Sequence, residues 1–308
     1  MVIALGGNSL VKENSNNSAE DQLEVVQSTC KHIVGLVKKG FEVVITHGNG
    51  PQVGFNLLRS EAAKEQLPPQ PLDVCVAETQ GSIGYMIQQS LVNEYRSQGI
   101  DKDVVTVVTQ VKVDADDDAY SKPNKPVGPF YEKEEARQLM HEKGWDMVED
   151  SGRGYRRVVA SPQPVEIVEY RAIRALIEQG FTVIACGGGG IPVTGKEGKA
   201  LAGSAAVIDK DRAGSLLAGL LDADILVIPT GVSKVSLNFR QPDQVDLGTI
   251  SLEEARLYLE QGYFAAGSMG PKIEAAVTFL EAGGNEVIIT LPELIEDAVL
   301  GNAGTRIR

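Results

Sequence analysis

The chain has 308 residues, 33 of them glycine, a length that suits about two average domains or one large α/β unit carrying an insertion. A formal charge of −13 argues against a nucleic-acid or anionic-membrane surface, because such binding relies on a dense basic face; any anionic ligand has to be held by a few placed cations. Hydrophobic residues at 43% and charged residues at 23% exclude a disordered or fibrous chain.

Val2-Ile3-Ala4-Leu5 predicts a buried strand that runs into Gly6-Gly7-Asn8-Ser9. Glycines there let backbone N–H groups turn toward a ligand's oxygens, and they serve a tight turn equally well. This opening leaves no room for a charged leader, and no run reaches the roughly 18 apolar residues of a membrane helix, so a cytoplasmic protein is expected. Leu23, Val26, Cys30, Ile33, Val34 and Val37 then share one helical face. Gly40 stops that helix, and Glu42 to Thr46 forms a strand ending in His47-Gly48-Asn49-Gly50. Two glycine loops on one sheet edge favour an anion site over a plain turn.

Between Lys112 and Pro164 the rhythm breaks into an acidic run, a proline-rich stretch and a hairpin around Ser151-Gly152-Arg153-Gly154, which predicts an inserted lid. Lys125 lies there between prolines that stiffen the loop, although an exposed loop lysine is the more common meaning of such a position. Helix and strand resume with Ile167, Val168, Ile173, Leu176 and Ile177, a stop at Gly180, and Thr182 to Cys186 leading into Gly187 to Gly190. Gly195-Lys196 imitates a phosphate loop, but Glu197 stands where Ser or Thr would bind magnesium, and the segment predicts a surface hairpin instead.

Lys210 falls at the start of a helix running to Leu221, between Asp209 and Asp211, and Lys272 falls in the first turn of a helix announced by Ser268 and Pro271. A cation at a helix N-terminus faces the positive end of the dipole, so either lysine alone reads as a surface residue. Two lysines misplaced in the same way point to an anion held beside both, with the aspartates steadying the ammonium groups. The third helix–glycine–strand unit spans Ile273 to Leu280, Gly283 and Val287 to Ile289.

Strict alternation predicts an α/β fold, a parallel sheet covered by helices on both faces, with ligands at the carboxyl ends of its strands. Three regions are expected: residues 1–111, the lid at 112–164, and 165–308. Cys30, Cys75 and Cys186 are odd in number and far apart, which supports neither disulfides nor a zinc site.

Together these segments resemble the amino acid kinase family, and within it the carbamate kinases. The likeness is carried by Ala4 to Asn8, His47 to Gly54, Gln80-Gly81 through Gly84-Tyr85, Lys125 to Gly128, Gly152 to Arg156, Gly187 to Pro192, Val207 to Asp211 and Gly267 to Lys272. It covers nearly the whole chain, and the lid makes it specific, since other amino acid kinases lack it. The resemblance implies an open, mainly parallel sheet sandwiched between helices, with an inserted protuberance. It also implies a magnesium-dependent homodimer of arginine metabolism that interconverts ADP plus carbamoyl phosphate with ATP plus carbamate, the magnesium riding on the nucleotide phosphates.

Carried over, Gly6, Gly7, Gly48, Asn49 and Gly50 bind the carbamoyl end. Lys125, Lys210 and Lys272 hold phosphate, with Asp209 orienting Lys210 and Asn8 beside the phosphoryl in flight. Gly188, Gly189, Asp211, Thr230, Val232 and Met269 line the nucleotide side. Two alternatives stay open: an acyl-phosphate kinase acting on an amino acid, and a catalytically silent nucleotide-binding paralogue. A dinucleotide-dependent oxidoreductase is disfavoured, because no strand leads into GxGxxG with an acidic residue at the right distance.

Overall fold

A computed structural model of the chain describes residues 1–6, 10, 18–150, 152–196, 198–265 and 267–308. Gly7, Asn8 and Glu197 lie outside the described residues. Strand β1 (Val2–Leu5) is buried throughout. Helix α1 (Ala19–Lys38) starts at Ser18, whose hydroxyl accepts from the Asp21 N–H while the Asp21 carboxylate accepts from the Ser18 N–H. Two otherwise orphaned donors are thereby satisfied. Its buried residues Val26, Cys30, Ile33 and Val34 keep the helical spacing, and the chain turns at Gly40 (φ +88°) into β2 (Val44–His47).

Helices α2 (Gly50–Ala62) and α3 (Leu72–Ser97) follow, then strands β3 (Val104–Thr106) and β4 (Gln110–Val113). The inserted stretch supplies β5 (Lys125–Tyr131), α4 (Lys133–Lys143), β6 (Met147–Glu149) and β7 (Tyr155–Val159). These strands form their own antiparallel sheet in the order β5-β7-β6. A small core of Ala136, Trp145 and Met147 under Tyr131, Leu139 and Leu58 joins that sheet to α4 and α2.

Strand β8 (Pro164–Ile167) returns antiparallel to β4. Helix α5 (Tyr170–Glu178), β9 (Thr182–Ile184) and the hairpin of β10 (Ile191–Thr194) with β11 (Ala202–Gly203) come next. The chain continues through α6 (Lys210–Leu220), β12 (Ile225–Pro229), β13 (Ser236–Leu237), β14 (Val245–Asp246) and β15 (Thr249–Ile250). It finishes with α7 (Leu252–Glu260), α8 (Gly270–Glu281), β16 (Glu286–Thr290), α9 (Ile295–Val299) and β17 (Thr305–Ile307).

Eight strands form the large sheet in the order β15-β17-β16-β12-β1-β2-β9-β3, parallel at every pairing except β16 with β17. Successive side chains of a strand face opposite ways. Val2 and Ala4 therefore join Leu217 of α6 and Phe279 of α8 in one core, while Ile3 and Leu5 join Ile33 of α1 and Ile87 of α3 in the other. Two covered faces explain why β1, β2, β9 and β16 are buried at every position.

Two expectations are corrected. Ile167 and Val168 do not belong to a helix: Ile167 ends β8 and α5 starts only at Tyr170. Lys125 does not sit in a loop but opens β5, paired across from Val159. The expected hairpin beyond Ile191 is present as β10 and β11. All three cysteines are free and buried.

Candidate active site

The carboxyl ends of β1, β2, β9 and β12 and the N-termini of α6 and α8 surround one cleft of about 440 Å³. The lid reaches it through Lys125, Pro126, Arg153 and Arg156. Open parallel sheets bind ligands at this end because the strand-to-helix loops meet there.

Asp209 caps α6, its Oδ1 accepting from the N–H of Asp211 at 2.8 Å and that of Arg212 at 3.4 Å. This fixes the next residue, Lys210, whose Nζ donates to the carbonyl of Ala4 in β1 at 2.9 Å and to Oδ1 of Asp211. Lys272, in the first turn of α8, donates to the other oxygen of the same carboxylate, Asp211 Oδ2, at 2.9 Å. Lys125 of the lid pairs with Asp209 Oδ2. Three ammonium groups thus face two carboxylates, an excess of one positive charge in a largely buried place.

Burial raises the cost of every one of these charges, and the neighbours decide the outcome. For Asp209, burial pushes the carboxyl up, but the ammonium groups of Lys125, Lys272 and Lys210 overcome it and hold the group well below the usual carboxylate range. For Asp211, burial likewise pushes up, and Lys210 and Lys272 bring it down. Burial pulls the Lys210 ammonium down to about 8, with Lys272 adding repulsion and Asp211 opposing both. Lys272 is also desolvated by burial, yet the pull of Asp211 leaves it above its ordinary value. All three lysines are poised to exchange a carboxylate for a richer anion.

On the opposite wall, Gly48, Asn49 and Gly50 link β2 to α2. Asn49 is buried and donates its side-chain amide to the Thr79 hydroxyl at 2.9 Å, and its side chain makes no cap to α2. Gly188 approaches so closely that a Cβ would stand 2.3 Å from Asn49 Nδ2, and its φ of +68° disfavours any side chain. The buried Gln80 ties this loop down, donating to the carbonyls of Thr109 (3.0 Å) and Gly187 (2.9 Å) and accepting from the Thr109 N–H (2.8 Å).

Of the residues expected at the site, Gly6, Gly48, Asn49, Gly50, Lys125, Gly188, Asp209, Lys210, Asp211, Thr230 and Lys272 line this one cleft. Gly189, Val232 and Met269 do not line it. Gly189 is a packing residue: a Cβ there would stand 2.3 Å from the carbonyl oxygen of Ile208. Met269 is half-buried against the core and stands at the start of α8. Sequence reasoning gave no role to Arg153, Arg156 and Asp150, which also line the cleft, although Gly152 to Arg156 was among the segments that carried the resemblance. Their signal was an arginine pair in a glycine turn, which does not by itself say where the side chains go.

A doubly covered parallel sheet with glycine loops facing paired lysines at helix starts defines a phosphoryl-transfer protein, and the profile of the amino acid kinase family matches residues 1–291. The chain belongs to that family. It is 48% identical over 310 residues to the carbamate kinase of Thermococcus kodakarensis, covering 100% of this chain and 98% of that protein. It is 50% identical over 311 residues to carbamate kinase 2 of Staphylococcus epidermidis, covering 100% and 99%. Its fold superposes on the carbamate kinase from Giardia lamblia bound to AMP-PNP with a TM-score of 0.89 at 45% identity, covering 99% of this chain and 97% of that one.

Proposed function

We propose that this protein is a carbamate kinase, exchanging ADP and carbamoyl phosphate with ATP and carbamate. The observation that carries the reading is the meeting of Lys210 and Lys272, from two different helices, on the two oxygens of Asp211. Full-length identity to carbamate kinases supports it.

Transfer from an acyl phosphate needs no protein nucleophile, because the attacking oxygen of ADP or carbamate is already anionic. Positioning and charge neutralisation therefore carry the catalysis. Two such anions at about 4 Å repel by roughly 4 kcal/mol at an effective dielectric near 20. Lys210 and Lys272 offset that by turning from Asp211 to the oxygens of the phosphoryl in flight, and Lys125 does so by turning from Asp209. The carboxylates keep the ammonium groups aimed and desolvated, so little reorganisation is left for the moment of transfer.

In this reading residues 1–111 present the acyl end through Gly6, Gly48, Asn49 and Gly50, residues 165–308 hold the nucleotide, and residues 112–164 cover both. The nucleotide side rests on Gly188, Asp211 and Thr230, since Gly189, Val232 and Met269 stand back from the cleft. Magnesium belongs to the reading as the nucleotide's counter-ion. Before substrate binds, the oxygens of Asp209 and Asp211 are engaged by N–H and ammonium groups, and the reading gives the cation to the phosphate oxygens. A cytoplasmic homodimer completes the reading. Sedimentation of the purified protein tests the self-association.

The decisive assay is ATP formation from ADP and carbamoyl phosphate. Lys210→Ala and Lys272→Ala are each expected to lower turnover about a hundredfold, the usual effect of removing one transition-state contact, with far-ultraviolet circular dichroism unchanged. Wild-type turnover in either variant removes that lysine from the mechanism. Turnover with acetylglutamate or aspartate but none with carbamate overturns the choice of acceptor.

A further inference from the structure

Of the charged groups that the lid brings to the cleft and the mechanism above does not use, Asp150, Arg153 and Arg156, the last is the most buried. Arg156 lies on β7 with its side chain 7% exposed. Its Nε donates to the Gly128 carbonyl at 3.1 Å and its Nη1 to Asp150 Oδ2 at 3.2 Å. Phe130 lies under the guanidinium, 5.2 Å from ring centre to Cζ. Nη2 is buried and has no hydrogen-bond partner. Burial pulls this guanidinium below its ordinary pKa, yet it stays charged.

The third corner of the fork is turned toward Gly50, where a Cβ would stand 3.9 Å from Nη2. Gly50 opens α2, a helix of 13 residues with no acidic residue in its first turn and no side-chain cap from Asn49. An uncapped helix start leaves N–H groups pointing outward with a partial positive charge. A buried, unpaired guanidinium N–H beside it is costly unless an acceptor arrives. Both features ask for one small anionic or carbonyl oxygen, on the wall of the cleft across from the α6 and α8 starts that carry Lys210 and Lys272.

We infer that Arg156 binds the acyl end of the substrate, Nη2 donating to a carbamate oxygen or to the carbonyl oxygen of carbamoyl phosphate beside the N-terminus of α2. This rests on the carbamate reading and adds to it the residue that recognises the acceptor. Anchoring at Nε and Nη1 fixes the fork before substrate arrives, so the contact costs little side-chain entropy. Because the arginine rides on the lid, acyl recognition and lid position are coupled: an acceptor without an oxygen at this point leaves the N–H orphaned when the lid covers the cleft.

The test compares wild-type protein with Arg156→Ala in ATP formation, varying carbamoyl phosphate and ADP in turn. Expected is a rise of about thirtyfold or more in KM for carbamoyl phosphate, the usual size for a lost charged hydrogen bond, with KM for ADP changed less than twofold. Added guanidinium ion is expected to recover part of the loss in Arg156→Ala and to do nothing for wild type. Unchanged constants, or equal rises for both substrates without rescue, overturn the inference and leave Arg156 a packing residue of the lid. Arg156→Gln, which retains a donor for the Gly128 carbonyl, carries the same expectation should the alanine variant fail to fold. Absence of ATP formation by the wild type counts against the carbamate reading instead.

Discussion

At the scale of single residues, the chemistry turns on how far burial has moved Lys210. With its ammonium brought down to about 8, the group is charged at neutral pH and loses its proton at mild alkalinity. A neutral amine no longer attracts phosphate. kcat/KM for carbamoyl phosphate is therefore expected to fall as pH rises through about 8, while the corresponding limb in kcat lies higher, because a bound anion favours the charged form. A pH–rate profile of wild type against Lys210→Gln checks this. An alkaline limb that persists unmoved in the variant assigns it to some other group. Lysines 210 and 272 were legible in the sequence because each sits at a helix start, where its charge is locally unfavourable and something else must account for it. Arg156 was not legible. Its meaning depends on which of its three donor nitrogens the fold leaves unpaired, and its acceptor at Gly128 is 28 residues away.

At the scale of elements, the lid is placed by contact between two glycines. A Cβ on Gly54 of α2 would stand 2.0 Å from the Cα of Gly128 in β5 and 3.0 Å from the carbonyl carbon of Val127. Both neighbours are backbone, so neither yields by a rotamer change. Gly54→Ala is expected to push β5 outward, and Lys125 at the start of that strand with it. A displacement near 1 Å costs about a hundredfold in turnover, since catalysis by positioning has little tolerance. Turnover beside a thermal melt measures it; turnover at the wild-type level means that β5 accommodates the methyl group. Such pairings also explain which elements the sequence hid. Ile167 and Val168 carry an apolar spacing that continues into α5, but the partner that makes Pro164–Ile167 a strand is β4, more than fifty residues earlier. The helix–glycine–strand units around Gly40, Gly180 and Gly283 were readable because each is local.

At the scale of the whole molecule, pH acts on stability through a different group. His47, at the end of β2, is fully buried; its Nδ1–H donates to the Gly48 carbonyl at 3.0 Å and its Nε2 has no partner. Burial holds the ring down to about 4. An unfolded chain takes up a proton near pH 6.5, so between that value and about 4 the unfolded state binds more protons and stability falls as pH drops, by up to about 3 kcal/mol. Asp209 and Asp211, held low, add stability that is lost only below the ordinary carboxylate range near 4. Urea midpoints from pH 7 to 4 are expected to fall in wild type and to stay flatter in His47→Gln. A level wild-type curve across that range removes the buried neutral imidazole from the account.

The placing of β17 bears on how such a chain comes to be folded at all. Residues 305–307 lie inside the large sheet, between β15 and β16, and the Thr305 hydroxyl accepts from the Val235 N–H at 2.9 Å. A folding chain cannot close this side of the sheet until residues 305–307 are in place. Before they dock, the edge of β16 is an unpaired row of backbone donors and acceptors, open to any other strand.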